Sequence, residues 1–184
     1  MAERASPFSE SVGGGRQGIE VTASPRGSLW QIACWPDTFS AVETKLAKAC
    51  GCDAPVPGGV VKTSGGSLLV RIEPLKWWVI GEDGADAPLK PKSDAGAWLD
   101  MSHDQAAIDV AGPDARELLK RMVSIDLRDG AFANMRFAST TVHHMFLKVL
   151  RHDTDDAPRY RLMVMRSYAD DLREMLAHHL RHFG

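Results

Sequence analysis

Hydrophobic and polar residues alternate along "SLWQIACW", placing Trp30, Ile32 and Cys34 on one side of an extended backbone. That is the two-residue period of a half-buried strand. Across "FSAVETKLAKAC" the period lengthens, and Phe39, Val42, Leu46 and Ala49 recur at helical spacing. "WPDT" in front of it supplies a proline and a capping Asp37 or Thr38, and Gly51 stands where a left-handed residue ends a helix. "APVPGG" reads as a loop. "SLLVRI", with Leu68, Val70 and Ile72 inward, and "KWWVIG" return to alternation around Glu73-Pro74, which predicts a strand pair. The polar stretch "EDGADAPLKPKSDAG" closes this first run.

A second run follows the same grammar. "DQAAIDVA" is a strand with Ala106, Ile108 and Val110 on one face. Gly112-Pro113 opens a helix whose stripe is Ala115, Leu118, Leu119 and Met122. "TTVHHMFLKVL" reads as one long strand and "RYRLMVM" as the next, with Tyr160, Leu162 and Val164 on one face. Ser167 is placed to cap a last helix, with Asp170 three residues on and Leu172, Met175, Leu176, His179, Leu180 and Phe183 along one side. The order β-α-β-β, then β-α-β-β-α, predicts an α+β fold of duplicated β-α-β-β units, with antiparallel sheets and helices on one face. One domain is expected over 28–184, with pseudo-repeats at about 28–82 and 98–184. Residues 1–27 are rich in Gly, Ser, Pro and charge and read as a flexible arm. The "VGGGR" within them follows no strand and lacks the spaced glycines of a phosphate loop.

Composition narrows the function classes. The chain of 184 residues is 44% hydrophobic and 25% charged, ordinary for a globular protein with a real core. A net charge of −2 gives no reason to expect a nucleic-acid partner. No apolar run is long enough to span a bilayer, and residues 1–17 lack the apolar core of a secretory signal. Three cysteines, Cys34, Cys50 and Cys52, fit a reducing cytoplasm better than a disulfide scaffold.

The chemistry on offer is thin. Ser102, His103 and Asp104 are the residue types of a hydrolase triad, but consecutive residues on a strand point to alternate faces. They cannot line up as nucleophile, base and orienting acid, and no G-x-S-x-G elbow surrounds the serine. His103, sharing a face with Gln105 and Asp109, reads instead as part of a solvated or partner-covered polar face. "CGC" at Cys50–Cys52 has one further cysteine to draw on and reads as free thiols. His178 and His182 stand one helical turn apart without a catalytic Glu between them, and suit the negative end of a helix dipole. We expect no catalytic, cofactor or metal residues on this chain. Of the adjacent Trp77 and Trp78, one indole should face away from the main core, to be covered by another element or another chain. The expected interface residues are therefore Trp77, Trp78, His103, Gln105 and Asp109.

A set of short motifs resembles the gamma subunit family of heterotetrameric sarcosine oxidase. They are Asp100, Ser102 and His103; Ala111-Gly112-Pro113 before a helix; Asp126-Leu127 with Phe132; and Arg166-Ser167-Tyr168-Ala169 before the last helix. Arg71, Ile72, Pro74 and Trp77 in "RIEPLKWWVIGED" match a further run, so the resemblance covers 28–184. Departures fall at Gln105 and Asp109, where the family carries Arg, and at Met122-Val123, Arg128-Asp129 and Ser139. They mark a divergent member. The resemblance implies a fold like the folate-binding aminomethyltransferases (glycine-cleavage T-protein). It implies a non-catalytic place in a cytoplasmic complex with alpha, beta and delta subunits, which oxidatively demethylates sarcosine to glycine and passes the one-carbon unit to tetrahydrofolate. FAD, FMN, NAD and zinc are implied on the other subunits and none on this one. Two alternatives stay open: a subunit of a related N-methyl amino acid or amine dehydrogenase, and a stand-alone folate-binding protein using Asp100 or Asp109 beside Trp98.

Overall fold

A computed structural model describes residues 8, 14–16, 18–154 and 157–183. The strands are β1 (Gly14–Arg16), β2 (Ile19–Ala23), β3 (Gly27–Cys34), β4 (Val60–Lys62), β5 (Leu68–Glu73), β6 (Lys76–Glu82), β7 (Gly96–Asp100), β8 (Gln105–Ala111), β9 (Arg136–Val142), β10 (Met145–Arg151) and β11 (Arg159–Met165). The helices are α1 (Phe39–Cys50), α2 (Ala115–Leu119) and α3 (Ala169–Arg181). Two antiparallel sheets result, ordered β1-β2-β8-β11-β10-β9 and β4-β5-β6-β3-β7. The chain divides into one unit of residues 1–24, 104–134 and 138–184, and another of 25–103 with 135–137.

In the first unit, α2 and α3 pack on one face of the six-stranded sheet. Ala106, Ile108 and Val110 of β8 and Tyr160, Leu162 and Val164 of β11 all lie inward with Leu118, Leu172 and Leu176, as alternation predicts. The arm expected over 1–27 gives way within this unit. Ile19 and Val21 are buried on β2, which pairs with β8 from Glu20↔Ala111 to Ala23↔Ile108. A five-residue strand with two buried apolar side chains is a weak signal until its partner is known. Residues 1–7, 9–13 and 17 of the expected arm lie outside the described residues. The long strand expected at "TTVHHMFLKVL" is instead β9 and β10, joined at His143-His144, where His143 takes a left-handed φ of 51°. Both histidines are exposed in that turn. At α3, a single 3₁₀ turn over Arg166–Tyr168 precedes the helix and no side chain caps its N-terminus, so Ser167 does not act as expected.

In the second unit, α1 lays Val42, Leu46 and Cys50 against Ile32, Cys34, Leu69, Trp77 and Val79 of the five-stranded sheet. Gly51 closes α1 in the left-handed region (φ 61°), and Cys52 N–H reaches back to Ala47 O at 3.1 Å. A Cβ at Gly51 would sit 2.3 Å from Ser64 Oγ, so this turn requires glycine. Central strands β5 and β6 are buried on both faces. Leu69 faces the α1 side while Val70, the inward residue expected from alternation, lies on the opposite face at 0% exposure. Strands covered on both sides lose the alternating signature that reveals which face is inner.

Candidate interaction surface

The paired tryptophans do not form a surface. Both are core, at 0% and 2% exposure, so the indole that faces away from α1 is covered by another element of this chain and neither tryptophan is the surface residue expected for an interface. Trp77 stacks on Phe39 (5.8 Å, 15°) with the Arg71 guanidinium 5.6 Å from its ring. Trp78, on the other face, is met edge-on by Phe137 at 6.2 Å and donates Nε1–H to Gln31 Oε1 at 3.2 Å. The strand period was read correctly; the covering element is part of the chain itself.

Asp109 is likewise removed from the surface, at 1% exposure. It faces Arg161 directly across β8 and β11, and the guanidinium grips it through Nε (2.8 Å) and Nη2 (2.9 Å). Arg159 adds a longer contact at 3.7 Å. Burying a carboxylate demands such a partner. His152 is near enough for Arg161 and Asp109 to act on its titration: burial first, then Arg161, lowers its pKa to about 4, with Asp109 opposing. Gln105 is half-buried, accepting from Lys148 Nζ at 3.3 Å and donating to Asp104. Burial lowers the pKa of Lys148, against Asp104. Of the expected interface residues only His103 is exposed, in a turn and not on a strand.

The serine beside it has a structural post. Ser102 Oγ–H donates to Asp100 Oδ1 at 2.6 Å, Ser102 N–H donates to the same oxygen at 2.9 Å, and Oγ accepts Leu29 N–H at 2.9 Å. It ties off the end of the β3–β7 pair. The carboxylate of Asp100 holds this turn and that of Asp109 holds Arg161, so the two acids considered for a pterin are each engaged locally. The histidine spacing on α3 is realised, with ring centroids of His178 and His182 4.7 Å apart. Among the described residues no group of three or more His, Cys, Asp or Glu is arranged to hold a metal ion. Burial pushes the Cys50 thiol up to about 11, the opposite of an activated or ligating cysteine.

The feature that sequence reading missed is β7. Among the described residues it lies at one edge of its sheet and pairs with β3 alone, from Cys34↔Gly96 to Trp30↔Asp100. Residues 97–100 are all exposed, on both faces of the strand. Trp98 is 42% exposed and packs on Trp30 (5.6 Å), with Lys90 Nζ 5.0 Å above the Trp98 ring; Leu99, facing the other way, is 55% exposed. The connection before β7 is pinned by Trp30 Nε1 to Ala85 O (2.8 Å), Trp35 Nε1 to Ser93 O (2.9 Å) and Thr38 Oγ1 to Ala95 O (2.6 Å). Those bonds tie the connection to Trp30, Trp35 and Thr38. In the other unit, Phe146 (70% exposed) and Met165 stand out on β10 and β11.

No protein-family model matches the chain, and no curated protein matches it. Among solved structures, the fold is shared with a chain of the heterotetrameric sarcosine oxidase from Corynebacterium sp. U-96 in complex with pyrrole 2-carboxylate. The TM-score is 0.81 at 18% identity, over 98% of this chain and 96% of that one. The chain therefore resembles a component of that oxidase in fold.

Proposed function

We propose that this protein is a non-catalytic subunit of a heterotetrameric sarcosine oxidase-type complex, in the place of the gamma subunit. The observation that carries this is the end-to-end fold match: almost all of this chain superposes on almost all of a chain from such a complex. The order and spacing of the motifs from Arg71 to Ala169 supports the gamma assignment. The T-protein-like duplicated fold belongs to the same reading, supported by a strand-helix-strand order that recurs from β3 and from β8. In this reading the alpha, beta and delta subunits carry FAD, FMN, NAD and zinc, and tetrahydrofolate takes the one-carbon unit from sarcosine. This chain contributes packing surface to a cytoplasmic assembly. Ser102 supports that role, since its hydroxyl is engaged by Asp100 and Leu29 as a turn lock and is not poised beside a base.

The test is co-expression of the tagged chain with the alpha, beta and delta chains of its own source. The expected product is a yellow assembly with one copy of each chain and sarcosine-dependent oxygen uptake. A colourless chain recovered alone would refute the assignment; quenching of its tryptophans by a reduced folate would then favour the stand-alone folate-binding alternative. An active assembly that prefers another secondary amine would move the complex to the related dehydrogenases.

A further inference from the structure

We propose that β7 is a docking edge on which a partner subunit adds an extended strand, continuing the five-stranded sheet; this rests on the subunit reading above. The two edges of that sheet are built differently. At one, β4 is three residues long, ends on exposed Lys62, and is covered: Val60 N–H donates to Met135 O (3.0 Å) and Gly59 bridges Arg136. Short length, a lysine and a cover are the usual means of blunting an edge. At the other, β7 has five residues in unbroken register with β3, and neither proline, lysine nor bulge. Met101 N–H bonds Leu29 O at 2.8 Å, so alternation turns Ala97 and Leu99 toward β3 and the N–H and C=O of Trp98 outward. The Trp98 and Leu99 side chains stand exposed on opposite faces.

This chemistry selects the occupant. Outward backbone donors and acceptors are matched by another extended backbone; a helix has its own bonded internally. Exposed apolar groups on both faces select a strand that is apolar on both faces, with one side chain lying on the Trp98–Trp30 shelf beneath Lys90 and the next against Leu99.

Amide hydrogen exchange on the co-expressed complex and on the free chain tests this. The Trp98 amide should exchange freely in the chain alone and be slowed by at least about tenfold in the complex. Of the backbone groups, Trp98→Pro removes only the outward N–H and leaves the β3 ladder bonds in place; the indole is lost in it and in Trp98→Ala alike. It should cut recovery of the complex about tenfold or more, whereas Trp98→Ala, which keeps that N–H, should cut it far less. An intact complex with an unprotected Trp98 amide would overturn the docking edge while leaving the subunit reading standing. Failure of any complex to form would remove both. Protection of Trp98 in a dimer of the chain alone would make a second copy the occupant and overturn the proposal. Should Trp98→Pro not fold, the exchange data on the unaltered protein decide.

Discussion

Asp109 and Arg161 lie directly opposite each other on β8 and β11 and share two hydrogen bonds of 2.8 and 2.9 Å, with the carboxylate sealed from water. Such a pair is insensitive to being present and very sensitive to being halved. Arg161→Ala, which strands a buried carboxylate with only the distant Arg159, is expected to cost roughly 3–5 kcal/mol in urea unfolding. The double replacement Asp109→Leu with Arg161→Met should cost clearly less than either single change, since no charge is left behind. Equal and additive losses would contradict this account.

The two exposed and buried tryptophans separate stability from assembly. Trp77→Ala opens a cavity between Phe39 and Arg71 and should destabilise by about 3–5 kcal/mol. Trp98→Ala loses a surface contact with Trp30 and should cost about 1 kcal/mol. Thermal unfolding of the two variants side by side checks the ranking.

His152 makes stability depend on pH. Its pKa falls from 6.5 to about 4, chiefly through burial and then through Arg161. Between those two values the unfolded chain takes up a proton that the folded chain refuses. Stability therefore falls as pH drops from about 6.5 toward 4. His179, lowered chiefly by burial and then by His178, acts in the same direction. His152→Gln should flatten this slope without abolishing it, measured as urea midpoints at pH 7, 6 and 5. An unchanged slope would contradict the assigned burial of His152.

The thiols should titrate in an order set by burial. Cys34 and Cys50 are buried and Cys52 is half-buried. Burial raises all three pKa values, Cys50 to about 11. With a disulfide reagent at pH 8, Cys52 should react first and the other two should wait for unfolding. Rapid reaction of Cys50 in the folded chain would show that the end of α1 is open.

Most of the core was legible in the sequence, because Ala106, Ile108 and Val110, or Val42 and Leu46, carry a period that only one element type can bury. What was not legible depends on partners distant in sequence. β2 is a strand because β8 lies beside it, and Trp78 is core because Phe137 covers it. Asp109 looks like a surface residue until Arg161, fifty-two positions on, is found across the ladder. His143 and His144 read as strand because a tight turn needs only one left-handed residue, and no glycine marks it. Edge position is a property of the whole sheet, so β7 could not be singled out from "GAWLD" alone.

The measurement closest to the central claim is the native mass of the co-expressed assembly, with and without this chain, together with sarcosine-dependent oxygen uptake per flavin. The account predicts one copy of this chain per flavin-containing assembly, and an assembly that loses mass and integrity when it is omitted. A complete and fully active complex that neither retains nor requires this chain would contradict it.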